Sequence, residues 1–132
     1  MNFRIYLPNN KIENFYRDAI KEYEKRLGRY CKIQVVRYKS DEQLIKLIPD
    51  KAHRLLISVN GEKITSEGLA SKISEWGLSG IADIAIIIGT TLPHDEVLAL
   101  SSAEMALGLQ ATVLYEQIYR SYRIINNQPY HK

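Results

Sequence analysis

The chain has a single cysteine, Cys31, in 132 residues. An intramolecular disulfide and a cysteine metal cluster are therefore excluded. Cys31 opens an apolar segment and reads as a plain buried thiol rather than a nucleophile. Histidine is almost as scarce. His53, His94 and His131 share no metal-ligand spacing, so no metal is expected. There is no Gly-x-Ser-x-Gly elbow, which argues against a serine hydrolase. Neither the dinucleotide-binding glycine fingerprint nor the phosphate-binding P-loop occurs. No apolar run approaches the length that spans a bilayer, and Met1 leads directly into the strand-like FRIYL. The expectation is a soluble, cytoplasmic protein with no membrane partner. Acidic residues are also missing from one place: none follows Glu116.

What is present is ordinary in bulk and uneven in layout. The composition, 45% hydrophobic and 25% charged, is that of a globular protein, and the length suits one domain over residues 1–132 with a real core. The net charge of +3 says little by itself, but residues 1–50 carry eleven Lys/Arg against seven Asp/Glu, and residues 117–132 carry three cations and no acid. Basic regions interleaved with tyrosines suit contact with phosphates and bases. A solvated basic face would look the same.

The hydrophobic pattern alternates strand and helix. Asn2–Leu7 reads as a strand broken by Pro8-Asn9-Asn10. Asn10 and Glu13 resemble a capping box, followed by a helical stripe of Ile12, Phe15, Tyr16, Ala19, Ile20, Tyr23 and Leu27 that stops at Gly28. Lys32–Tyr38 is a second strand and Asp41–Ile48 a short helix ended by Pro49. Arg54–Val59 is a third strand closing in the turn Asn60-Gly61. Thr65 or Ser66 caps a helix running to about Trp76. In Ile81–Ile88, the stretch Ile84-Ala85-Ile86-Ile87-Ile88 is apolar without alternation, the mark of a central strand buried on both faces of a parallel sheet. A short helix around Asp95–Leu98, a weak strand or loop near Leu100–Met105 and a long C-terminal helix complete an α/β layered order.

Chemistry is expected beyond the carboxyl ends of the strands, where open α/β sheets place their ligand crevice. Gly89-Thr90-Thr91 and the backbone near Ile57 and Asn60-Gly61 fall there, although tight turns alone would account for both. His53 reads as surface filler and His94 as a residue at a helix start. In the last helix Tyr115, Ile118, Tyr119, Tyr122 and Ile125 form an aromatic and aliphatic stripe suited to the core. Arg120 and Arg123 stand on neighbouring positions, able to hold phosphates or to pair with carboxylates such as Glu116. The chain then stops at Tyr130-His131-Lys132.

Glu22–Tyr30 (EYEKRLGRY), Ile64–Ala70 (ITSEGLA), Ile86–Gly89 (IIIG) and above all Leu114–Lys132 (LYEQIYRSYRIINNQPYHK) resemble the bacterial 23S ribosomal RNA pseudouridine N3-methyltransferases of the SPOUT superfamily. The resemblance runs from the first strand to the last residue. It implies a C-terminal segment threaded as a trefoil knot, against the usual rarity of knots. It also implies a homodimer in which the partner's C-terminus completes each site. The implied cofactor is S-adenosylmethionine, contacted by Ile57, Gly89 and the loop Ser102, Ala103, Glu104, Met105, Ala106 and Leu107. The implied partner is 23S rRNA within the ribosome, with Arg120, Tyr130 and His131 at the chemistry and Arg123 and Lys132 on the RNA. The chain departs from the family pattern in three ways. Thr90 follows Gly89 where a second glycine is usual. MALGLQATVLYEQ replaces a Thr-x-Pro-His stretch. The chain is also shorter after the second strand. A non-catalytic knotted relative that binds RNA or ribosomes is the alternative these departures leave open.

Overall fold

The computed structural model describes residues 1–130. His131 and Lys132, named above for catalysis and RNA contact, lie outside the described residues. Among the described residues, five strands and four helices follow in this order: β1 (Asn2–Pro8), α1 (Asn14–Leu27), β2 (Lys32–Tyr38), α2 (Asp41–Leu47), β3 (His53–Lys63), α3 (Ser66–Leu78), β4 (Asp83–Ile87), β5 (Glu96–Ala99) and α4 (Leu107–Ile125). The strands form one parallel sheet in the order β2-β1-β4-β3-β5. The unbroken apolar run is β4, at the centre, with Ile84 to Ile88 all buried.

Strand periodicity sorts the core into two layers. Phe3, Ile5, Leu7, Leu55, Ile84 and Ile86 face α1, α3 and α4. Tyr6, Leu56, Ala85 and Ile87 face the other way, toward Tyr38 at the end of β2 and Leu44 of α2. Helix α4 packs against both α1 and α3, and its Ala111, Leu114, Tyr115 and Ile118 are buried. Among the described residues no helix is long and apolar enough to cross a membrane, and no group of His, Cys, Asp and Glu is placed to hold a metal ion.

Several expectations need correction. The capping box at Asn10 does not form. Helix α1 starts at Asn14 without a side-chain cap. Arg37 reaches the carbonyls of Pro8 and Asn10, and Ile12 is buried, so this segment is held as a loop. Phe15, placed on the apolar stripe, stays 64% exposed. Asp95–Leu98 is not a helix. Glu96–Ala99 is a strand, because pairing with β3 outweighs the local helical preference of so short a segment. Leu100–Met105, left open between a weak strand and a loop, is a loop. Pairing of β3 with β5 also resumes after Asn60-Gly61. The register jumps between Ile57 and Glu62, both opposite Leu98, so residues 58–61 bulge out of the ladder. Gly61 sits where an added Cβ would lie 2.8 Å from the Leu98 main chain, so only glycine suits the return.

Candidate functional site

The carboxyl edge of β3, β4 and β5 forms one wall of a cavity of about 300 Å³, at the lower end of small-molecule sites. Three chain segments line it. The β3 bulge contributes Ile57, Ser58, Val59 and Asn60. The turn after β4 contributes Gly89, Thr90 and Thr91. The stretch after β5 contributes Leu100, Ser101, Ala103, Glu104 and Met105, and Gln110 reaches in from the first turn of α4. The amide of Gln110 donates to the Met105 carbonyl at 2.8 Å, tying loop to helix. The lining residues mix apolar side chains with the hydroxyls of Ser58, Thr90, Thr91 and Ser101, the amides of Asn60 and Gln110 and the carboxyl of Glu104. Such a surface suits a ligand that is flat and apolar in part and hydrogen-bonding at its edges.

Gly89 is specified twice. Its φ is +95°, a backbone conformation in which a Cβ is strained. A Cβ there would also lie 2.8 Å and 2.9 Å from the Pro8 ring and 3.1 Å from the Tyr38 hydroxyl. That hydroxyl donates to the Ile88 carbonyl at 2.7 Å, and burial pushes its pKa up to about 12, with Asp41 adding to the rise. Tyr38 thus stays a neutral donor that fixes the end of β4. Thr90, in the position of a usual second glycine, donates its hydroxyl to Asp41 at 2.9 Å, so the altered loop is anchored to α2. Gly108 lies in the first turn of α4. An added Cβ there would lie 2.4 Å from the Tyr16 ring.

Of the eight residues named for the cofactor, Ile57, Gly89, Ala103, Glu104 and Met105 line this cavity, while Ser102, Ala106 and Leu107 do not. Sequence reasoning missed Ser58, Leu100, Ser101 and Gln110 as lining residues. The strand-end position of Asn60 was the one signal for the bulge. Nothing local marked Gln110, which the start of α4 carries to the cavity.

The other named residues gather elsewhere. Arg120 and Tyr130 line a second pocket with Ser66, Glu67, Ile124 and Gln128. Glu116 accepts from Arg120 Nε at 3.1 Å and Nη2 at 3.0 Å, and from the Tyr130 hydroxyl at 2.9 Å. The Arg120 guanidinium lies 4.5 Å from the centre of the Tyr130 ring. Burial first, then the bond to Glu116, raises the Tyr130 pKa, which keeps the phenol protonated. Arg123 turns back to its own arm, donating to the Pro129 carbonyl at 2.6 Å and 3.1 Å and to the Tyr30 hydroxyl at 3.2 Å. Tyr30 also hydrogen-bonds to Gln128 and stacks on Tyr122 at 5.3 Å. The two pockets share no residue. At about 1.5 Å of rise per residue, Gln110 and Arg120 stand about 15 Å apart along α4.

The remaining sequence candidates settle into structural places. His53 is not surface filler. Its ring packs 5.5 Å from that of Trp76 and bonds to Glu96, because β5 lies beside it. His94 starts no helix, and its Nδ1 donates to the Leu92 carbonyl at 2.7 Å. The Cys31 thiol is pushed up to about 11 by burial and stays protonated.

The family model described as "Predicted SPOUT methyltransferase" matches residues 1–131. A protein of Thermoanaerobacter sp. (strain X514) named "Ribosomal RNA large subunit methyltransferase H 1" is 50% identical over 133 aligned positions that cover all of both chains. "Ribosomal RNA large subunit methyltransferase H" of Bifidobacterium adolescentis is 37% identical, covering 91% of this chain and 92% of its own. "Putative ribosomal RNA large subunit methyltransferase H" of Methanococcus maripaludis is 35% identical, with both chains fully covered.

Proposed function

The chain belongs to the SPOUT methyltransferase family, and on that premise we propose that it transfers a methyl group from S-adenosylmethionine to N3 of a pseudouridine in 23S ribosomal RNA within the ribosome. The observation that carries this reading is the cavity at the carboxyl edge of β3, β4 and β5, with Gly89 at its turn. Its volume and its mixture of apolar and hydrogen-bonding residues suit an adenosine-sized ligand. We assign Ile57, Gly89, Ala103, Glu104 and Met105 to holding that cofactor, with Gln110 fixing the loop.

We further propose a homodimer whose C-terminal segment is threaded as a trefoil knot. Two features support the composite site. The Arg120–Tyr130 cluster and the cavity are separate in one chain. Tyr130 is docked on Glu116 and on Arg120, and Arg120 stands about 15 Å along α4 from Gln110, the helix residue that reaches the cavity. In this reading a second copy brings its own chain end to the cavity. The knot reading draws support from the chain path, which leaves central β4, crosses to edge strand β5 and returns as α4 between α1 and α3.

When bound, the cofactor supplies an electrophilic methyl group. The chain's part is to hold the base in line, which itself contributes much of the rate, and to stabilise the anion formed when N3 loses its proton. Tyr130 is kept neutral and acts as a hydrogen-bond donor and positioner. Proton acceptance falls to His131. Arg120 supplies positive charge beside the reacting ring. Arg123 holds the arm that carries these groups, and Lys132 contacts the RNA backbone. The test is transfer of labelled methyl from S-adenosylmethionine to ribosomes that lack the modification, with the labelled nucleoside identified by mass. Label on a pseudouridine of 23S rRNA is expected. Ribosome binding with no transfer and no cofactor-induced rise in melting temperature would instead favour the non-catalytic relative.

A further inference from the structure

We propose that Glu116 is a positioning residue for the transfer reaction, its carboxylate locking Arg120 and Tyr130 together and so fixing where Tyr130 stands. The inference rests on the function proposed above. The Glu116–Arg120 pair has a geometry that an ordinary helix-surface pair does not have. Glu116 and Arg120 are one turn apart on α4, and such pairs when exposed contribute little, about 0.3–0.5 kcal/mol. Here the side chains are only 20% and 21% exposed, and the carboxylate gathers donors from three residues.

One oxygen, Oε2, accepts from the Arg120 guanidinium and from the Tyr130 hydroxyl, while Oε1 accepts from the Gln117 amide at 2.7 Å. Gln117 in turn accepts from the Ser66 hydroxyl at 2.7 Å, which carries the network to the first turn of α3. The Tyr130 ring is closed in on two sides, by the Arg120 guanidinium and by the edge of Tyr119 at 5.2 Å. The arm between α4 and Tyr130 is held separately by Arg123 at the Pro129 carbonyl. Tyr130 is thus fixed at its backbone neighbour and at its hydroxyl. Remove the carboxylate and the hydroxyl hold is lost while the Arg123 hold remains. Tyr130 is itself assigned to position the reacting base, and misplacement of about 1 Å costs roughly 100-fold in rate.

The experiment uses the full chain with 3-fluorotyrosine at position 130, as wild type and as Glu116→Gln and Glu116→Ala. The Gln variant keeps shape and one acceptor, which guards against simple unfolding. In both variants the fluorine resonance should move toward that of a solvent-exposed tyrosine. In the unlabelled variants kcat should fall by about 100-fold while KM for the ribosome changes by less than about twofold. A kcat close to wild type in both variants would overturn the proposal, and so would a fluorine resonance that stays in place. The fluorine measurement needs no activity. If wild type transfers no methyl, the functional reading fails on its own while the resonance still decides whether Glu116 holds Tyr130.

Discussion

Replacing Gly89 with alanine perturbs the candidate cofactor site with a single carbon, and its cost can be worked from two contacts and one angle. At a φ of +95° an L-residue is strained by about 1–2 kcal/mol. The new Cβ would also stand 2.8 Å from Pro8 Cγ and 3.1 Å from the Tyr38 hydroxyl. Pro8 cannot retreat easily, because its carbonyl is held by Arg37 at 3.1 Å and it pairs with Tyr38 in the sheet register. Overpacking of this kind adds about 1–3 kcal/mol. The sum, roughly 2–5 kcal/mol, corresponds to a fall in Tm of roughly 10 °C or more for a domain of this size. The assay is thermal and urea unfolding of both proteins at one fixed protomer concentration, with S-adenosylmethionine titrated into the folded fraction by calorimetry. Loss of stability and weakened cofactor binding are expected together. A destabilisation under about 0.5 kcal/mol, the range of an ordinary surface substitution, would refute the argument that backbone and packing both demand glycine here.

Glu96 offers a pH-dependent test. Burial pushes its carboxyl up, but Lys72 at 2.6 Å, His53 and Trp76 at 3.1 Å together bring it below the ordinary carboxylate value. A lowered folded-state pKa means stability that is present above about pH 4.5 and lost as the pH falls through the folded value. Glu96→Gln should therefore melt below wild type at neutral pH, and the gap should close below about pH 4.5; a gap that stays constant down to pH 3 would count against the network. Gly108→Ala, with a Cβ 2.4 Å from the Tyr16 ring, should cost about 1–3 kcal/mol in urea unfolding, and adding Tyr16→Ala should return part of that loss. If the second substitution returns nothing, the close packing of α4 on α1 is not the cause.

Local sequence carried much of the framework. Lys32–Tyr38 is a strand from end to end, the Thr65 cap at the start of α3 accepts from the Gly68 amide at 2.9 Å, and the unbroken isoleucine run is the central strand. What was not legible depends on partners distant in sequence. Glu96–Ala99 is a strand only because β3 lies beside it. The start of α4 at Leu107 carries no capping side chain and contains Gly108, a poor helix former, whose reason is Tyr16. His53 shows its role only once β5 brings Glu96 alongside. In the site, Gly89 was readable because a glycine directly after a central strand is a local signal. The bulge at residues 58–61 and the reach of Gln110 follow from register and helix start, which no short window encodes. Arg120 and Arg123 looked alike in sequence. In the structure one faces Glu116 and Tyr130 and the other holds the arm.

The claim that most needs a direct test is that one subunit's chain end serves the other subunit's cavity. Two variants separate the halves: Ala103→Trp, which fills the cavity with an indole, and a chain ending at Pro129, which lacks Tyr130, His131 and Lys132. Each alone should transfer no methyl to ribosomes. Unfolded together and refolded as a mixture, they should regain activity, because a mixed dimer pairs an open cavity with an intact chain end. A mixture as inactive as its components, alongside an active wild type carried through the same refolding, would contradict the account.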